Sequence, residues 1–197
     1  MTPRRLAVLL SGRGSNFEAI ADAVAAGRIP NAEIVAVISD VAEAPGLARA
    51  RARGLPSHAV DRKAIPSRRD REREMLAILD RARPDLVCLA GYMRVLSPEF
   101  VGRFRGRILN IHPAMLPKFP GLDAQRRAIE AGEEESGCTV HFVDEGTDTG
   151  PIVLQKKVPI LPGDTEESLS ARILEREHEA YPEAIARVLD EIERRRS

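Results

Sequence analysis

Apolar residues along this chain fall into short blocks, separated by longer stretches in which polar and apolar positions recur at helical spacing. Five blocks in the first two-thirds read as strands: Leu6–Ser11, Ile34–Ser39, a short one near Ser57–Val60, Leu86–Ala90 and Ile108–Ile111. Between them lie helix candidates at Asn16–Ala26, Pro45–Arg53, Ser67–Ala82 and Pro98–Phe104. Pro45 and Pro98 suit first helical positions, where a missing N–H costs nothing, and Gly27 and Gly54 suit the residue just past a helix end. Runs such as Leu6-Ala7-Val8-Leu9-Leu10 imply strands covered on both faces, as in a parallel sheet with helices on either side. After Gly121 the pattern changes. A helix over Leu122–Ala131 leads to strands at Thr139–Val143 and Ile152–Gln155, close enough in sequence to pair antiparallel. A long helix follows from Thr165 to about Glu193, with Asp164 as its cap, Glu167 three residues on, and a kink or break expected at Pro182. The expected fold class is α/β: a mostly parallel central sheet flanked by helices, a late antiparallel strand pair and a long C-terminal helix.

A length of 197 residues suits one domain with a sizeable core, and no repeat or linker divides it. Thirty Lys plus Arg balance thirty Asp plus Glu, which argues against a nucleic-acid or acidic-membrane partner. The arginine clusters Arg68-Arg69, Arg126-Arg127 and Arg194 to Arg196 sit among acids and read as solvated helix faces. Cys88 and Cys138 are too few for a disulfide framework or zinc cluster and read as small buried apolar residues. The apolar run after Arg4-Arg5 is too short for a secretory signal, and no stretch approaches a membrane span. A cytoplasmic protein is expected.

Three places carry candidate chemistry. Asn110-Ile111-His112-Pro113 ends an apolar run and enters a loop stiffened by Pro113, Pro117 and Pro120. Residues i and i+2 of a strand share a face, so the Asn110 carboxamide and the His112 imidazole look at one spot. An N–H donor beside an imidazole suits a reaction that builds an oxyanion and moves a proton; a histidine merely satisfying a strand end is the bland alternative. Ser11-Gly12-Arg13-Gly14-Ser15-Asn16 joins the first strand to the first helix, where glycines admit a ligand and helix-start N–H groups favour an anion. Ser15 or Asn16 could cap that helix. Phe17 stands where a dinucleotide fingerprint wants glycine, although Asp40 could still serve as a ribose-binding acid; a single phosphate on a small substrate fits best. In Asp144-Glu145-Gly146-Thr147-Asp148-Thr149-Gly150-Pro151, one carboxylate could orient His112, and spacing leaves Asp144 and Asp148 both open. His141 reads as a strand residue facing a polar layer, His58 as a strand edge, and His178 as either a pocket wall or a helix surface.

Taken together, the Gly-x-Gly-Ser-Asn turn, the Asn110–Gly121 segment and the Gly137–Gln155 segment resemble the glycinamide ribonucleotide formyltransferase family over about Leu6 to Pro182. The resemblance implies a Rossmann-like formyltransferase domain, with a nucleotide-binding half over about 1–105 and a catalytic and folate half over about 106–197. It implies Asn110, His112 and Asp148 as the catalytic trio, deciding for Asp148. Gly14, Ser15 and Asn16 would hold the substrate phosphate and Glu177 the ribose hydroxyls. Folate contacts would come from Arg68, the Met93-Arg94-Val95-Leu96 segment, Asn110, Asp144 and Asp148. Tyr92 and Met115 replace more usual Phe and Leu, and Leu174 replaces a residue that is polar in some members near the ribose.

The implied reaction passes a formyl group from 10-formyltetrahydrofolate, a co-substrate, to the amine of 5'-phosphoribosylglycinamide, with no metal and no covalent enzyme intermediate. The partners expected are these two small molecules, with a monomer or homodimer and neither nucleic acid nor membrane. A formyltetrahydrofolate hydrolase shares the trio, but an N-terminal regulatory domain is expected of it and the first strand begins here at residue 6. A methionyl-tRNA formyltransferase would need a further domain and a basic surface. A non-catalytic nucleotide-binding module would not need the trio to converge.

Overall fold

The computed structural model describes residues 2–196. Its strands are β1 (Arg4–Leu10), β2 (Ala32–Ser39), β3 (Ser57–Ala59), β4 (Leu86–Leu89), β5 (Ile108–His112), β6 (Glu135–Phe142) and β7 (Ile152–Pro159). They form one sheet in the order β3-β2-β1-β4-β5-β6-β7. Pairings from β3 through β5 are parallel, and β6 runs antiparallel to both β5 and β7, so β6 alone is reversed. The helices are α1 (Ser15–Ala25), α2 (Pro45–Ala52), α3 (Arg68–Ala82), α4 (Pro98–Arg103), α5 (Ala124–Glu130) and α6 (Glu166–Arg196).

Alternation along β1 shows how the core divides. Leu6, Val8 and Leu10 pack with α1, α2 and α6, while Ala7 and Leu9 pack with α3 and α4 on the other face. All five are fully buried, as expected of a central parallel strand. Tyr181 of α6 reaches under the sheet, its hydroxyl 3.0 Å from the Leu89 carbonyl and 2.9 Å from the Leu109 carbonyl, tying β4 to β5 beneath the site.

Helix boundaries depart from expectation where caps decide them. The cap of α6 is Thr165, not Asp164: Thr165 Oγ1 accepts from the Ser168 N–H (3.2 Å) and Ser168 Oγ accepts from the Thr165 N–H (3.0 Å). Asp164 instead takes the guanidinium of Arg172 at 2.7 Å and the Leu161 N–H at 2.7 Å. Neither Ser15 nor Asn16 caps α1; both lie inside it, and Gly14 holds the cap position without a side-chain bond. Pro182 does not break α6, which runs on to Arg196. Proline removes one helical hydrogen bond, and the buried flank of Tyr181, Ala184, Ile185, Val188 and Leu189 continues the core face across it. β6 and β7 are each eight residues long, beyond the segments read from hydropathy, because Lys156 and Lys157 are charged yet pair with Cys138 and Gly137.

Candidate active site

The chain passes from β1 to β2 and β3 on one side, then returns to β4 on the other, so the connections leaving the C-terminal ends of β1 and β4 run in opposite directions. Such a switch point opens a crevice in α/β sheets. Here the turn after β1 and the segment after β4 line it together: the Ser11 N–H donates to the Gly91 carbonyl (3.0 Å), and the Met93 N–H donates to Ser11 Oγ (2.9 Å). Gly14 has φ +79, and a Cβ there would lie 2.7 Å from Gly46 Cα. Glycine is therefore required by α2 packing as well as by the turn. The first α1 bond runs from the Glu18 N–H to the Gly14 carbonyl, leaving the preceding N–H groups at the crevice. A cavity of about 360 Å³ lies there, walled by Ser11–Asn16, Arg62, Ala90, Gly91 and Met93.

A second cavity of about 490 Å³ shares Gly91 and Met93 with the first and extends along Tyr92–Leu96 to Asn110, His112 and the Asp144–Asp148 loop. Met93, Val95 and Leu122 are among the exposed large apolar side chains and all lie on its wall. That suits a sizeable, partly aromatic ligand with polar groups at one end. Its wall draws on both sides of residue 105.

Asp148 is the hub of the polar end. Its Oδ2 accepts the Gly121 N–H at 2.8 Å and lies 3.3 Å from His112 Nδ1. Its Oδ1 lies 3.4 Å from Asn110 Nδ2 and 3.4 Å from His141 Nε2. His112 Nε2 lies 2.8 Å from the Phe119 carbonyl, in a residue with φ +55. Both His112 nitrogens thus face oxygens, an arrangement that a ring carrying two N–H groups satisfies completely. Burial works to raise the Asp148 pKa, but the His141 hydrogen bond, the Gly121 N–H and the positive ends of His112 and His141 outweigh it, and the net direction is down. A depressed carboxylate adds stability above its unfolded value, near 4, and loses it as pH falls through the lower folded value. The stability gap between the wild type and Asp148→Asn should therefore shrink as pH falls below about pH 4. Urea unfolding across that range measures it; a gap that stays flat to pH 2 would mean that the Asp148 charge does not stabilise the fold.

His141 was read from sequence as a polar strand residue, yet it completes this cluster. It sits directly across from Asn110 in the β5–β6 register, 3.3 Å from its amide. The loop after β5 is held by two further residues that the sequence did not single out. Thr139 Oγ1 donates to the Ala114 carbonyl (2.6 Å) and accepts the Leu116 N–H (3.1 Å), while Gln155 Nε2 donates to the Leu116 carbonyl (2.9 Å). Asp144, the other carboxylate that spacing left open, folds its own loop instead, accepting from the Gly146 N–H and Thr149 Oγ1 at 3.0 and 2.7 Å.

The remaining residues are placed as follows. Glu177 is buried in α6 and its Oε2 accepts from Asn16 Nδ2 at 2.7 Å; burial raises its pKa, and the Asn16 bond only partly opposes this. It lies behind the turn rather than on the wall of either cavity. Arg68 pairs with Glu72 at 3.2 Å and also stands off both walls, whereas Met93, Arg94, Val95 and Leu96 all line the larger one. Leu174 is half-buried on α6. Cys88 and Cys138 are free and buried, as expected; burial, with the nearby Glu177 charge, pushes the Cys138 thiol up to about 12, and burial raises Cys88 as well.

Residues 4–185 match the family model described as formyl transferase. A phosphoribosylglycinamide formyltransferase of Escherichia coli is 47% identical over 181 residues, covering 92% of this chain and 85% of that protein. A trifunctional purine biosynthetic protein adenosine-3 of Drosophila pseudoobscura is 54% identical over 184 residues, but this chain spans only 14% of its length. The solved phosphoribosylglycinamide formyltransferase of Brucella melitensis superposes with a TM-score of 0.90 at 49% identity, covering 95% of this chain and 96% of that one. With a family match over residues 4–185 and this degree of identity and superposition, the chain belongs to the formyl transferase family, among the phosphoribosylglycinamide formyltransferases.

Proposed function

We propose that this protein transfers the formyl group of 10-formyltetrahydrofolate to the amine of 5'-phosphoribosylglycinamide, a step of de novo purine biosynthesis. The observation that carries this reading is the meeting of two cavities through Gly91 and Met93, with Asn110, His112, His141 and Asp148 on the wall of the larger one. A phosphorylated ribose suits the small cavity, with its phosphate on the Gly14–Asn16 turn. Glu177, bonded to Asn16, is assigned to the ribose hydroxyls. The folate suits the larger cavity, along Met93–Leu96 and against Asp144, with Arg68 reserved for the more distant part of the molecule. The half over about 1–105 carries the phosphate turn and also the Met93–Leu96 wall of the larger cavity, while the half over about 106–197 carries Asn110, His112 and Asp148.

The amine nitrogen attacks the formyl carbon, whose oxygen becomes an oxyanion on a tetrahedral centre. Asn110 donates its amide N–H to that oxygen. His112, paired with Asp148, supplies positive charge beside it, and its Nε2–H can turn from the Phe119 carbonyl to the stronger anionic acceptor. The amine then gives up a proton and the folate nitrogen receives one before the carbon–nitrogen bond to folate breaks; a water held by Asp148 and His112 relays it. An amine is already a nucleophile, so no thiol is needed, and the raised thiol pKa values support that. Two unpaired cysteines support a reducing, cytoplasmic setting. Each chain carries one such site, whether it works as a monomer or a homodimer.

The test is product identity and ligand stabilisation. Phosphoribosylglycinamide and a folate analogue should each raise the melting temperature, a ligand at a hundred times its Kd adding about 2.7 kcal/mol, while a dinucleotide should not. Mass analysis should find formylated ribonucleotide. Stabilisation by a dinucleotide alone would replace this reading with a nucleotide-binding one.

A further inference from the structure

The smaller cavity holds more positive charge than its turn supplies. Its wall carries two arginines, Arg13 and Arg62, and no acidic side chain among the described residues. Arg62 is not a loose surface group. Its backbone N–H donates to the Asp40 carbonyl at 3.0 Å, and its guanidinium Nη1 lies 3.5 Å from Asp40 Oδ2. The same carboxylate oxygen accepts from Arg94 Nε at 3.3 Å, and Arg94 lines the larger cavity. One carboxylate thus holds one guanidinium for each compartment.

Asp40 follows directly on β2, at the C-terminal edge of the sheet where α/β folds bind ligands. Its side chain is fully buried, whereas those of Arg62 and Arg94 are 39% and 47% exposed, and its Oδ1 has no hydrogen-bond partner among the described residues. Purely as a stabilising element this is poor, because a desolvated carboxylate is costly and half-exposed guanidiniums at these distances return little of that cost. As a positioning element it works well. The carboxylate holds each guanidinium from behind, leaving its outer N–H groups to reach an oxyanion ligand in a fixed plane.

We infer that Arg62 is a phosphate-binding residue, and that Asp40 is a positioning residue that aims Arg62 at the substrate phosphate and Arg94 at the folate. This rests on the preceding assignment of the Gly14–Asn16 turn to a phosphate. The ligand class is a phosphomonoester dianion, whose oxygens match the guanidinium fork better than they match an ammonium.

Calorimetry with phosphoribosylglycinamide and its dephosphorylated riboside tests both halves. Arg62→Ala should weaken the phosphorylated ligand on the order of 10- to 100-fold and leave the riboside within about twofold, with Arg62→Lys intermediate. Equal loss of both ligands, or loss of neither, overturns the Arg62 assignment while the turn keeps its own. A wild type that binds the two ligands equally well overturns the turn assignment and this one together. Asp40→Asn should raise KM for both substrates with kcat little changed, and Asp40→Asn combined with Arg62→Ala should bind the ribonucleotide no more weakly than Arg62→Ala alone. Additive losses would show that Asp40 acts apart from Arg62. Should Asp40→Asn fail to fold, Asp40→Glu, which keeps the charge but displaces it, should show the same two-sided rise in KM; normal KM values there overturn the positioning role.

Discussion

Alanine in place of Asn110 or His112 should lower turnover by roughly 10²–10³-fold, the usual size for losing one donor to a developing oxyanion. The reason is geometric. Asn110 Nδ2 and His112 Nδ1 approach opposite oxygens of Asp148, at 3.4 and 3.3 Å, so both side chains converge at one end of the larger cavity. Asp148→Asn keeps the shape but removes the charge facing His112 and His141, and it should lower turnover and shift the pH–rate profile together. The His112 variant leaves the Phe119 carbonyl without its partner, so its stability must be measured alongside its rate. A fall in kcat of two orders with a folded protein assigns the residue to the chemistry. Near-normal turnover in either alanine variant removes that residue from the mechanism. An unchanged pH profile in Asp148→Asn would mean that no carboxylate tunes the imidazole here.

Formyl release from 10-formyltetrahydrofolate should be slow with the folate alone and rise by about 10³-fold or more when the ribonucleotide is added, since positioning the nucleophile supplies much of the rate. The two-cavity layout motivates this. A hydrolase has no use for a phosphate turn and an arginine-bearing pocket next to the chemistry, whereas a transferase must hold the amine against the formyl carbon. Following the folate absorbance with and without ribonucleotide, and assaying formate, separates the two. Formate appearing at one rate in both conditions would make the protein a hydrolase. A rise in rate matched by formylated ribonucleotide makes it a transferase.

The residues that bear on these predictions differ in how plainly the sequence announced them. Strand and helix positions were legible because burial on both faces of a sheet leaves unbroken apolar runs, and Leu6–Leu10 is buried throughout. Asn110 and His112 were legible because a strand's two-residue period puts them on one face. The cap of α6 was not: Asp164 and Thr165 both suit a cap, and only the reciprocal bonds with Ser168 show which one acts. Pro182 carries a local preference against helix, which the packing of Tyr181, Ala184 and Ile185 overrides.

His141 shows the boundary most clearly. Its alternation with Val140 and Phe142 marks a strand, but its function depends on lying opposite Asn110, 31 residues away, and antiparallel register is a property of pairing rather than of either segment. Asp40 and Arg62 are a second case, joined only once β2 and the segment after β3 lie side by side. Thr139 and Gln155 are a third, since their bonds to the Ala114–Leu116 backbone exist only where β6 and β7 pass beneath that loop. By itself the sequence determined the elements, the fold class and the residue types of the chemistry, because these follow from local periodicity and motif. The tertiary structure alone decided that a second histidine joins the His112–Asp148 pair and which arginines face the crevice, because each depends on contacts between segments distant along the chain.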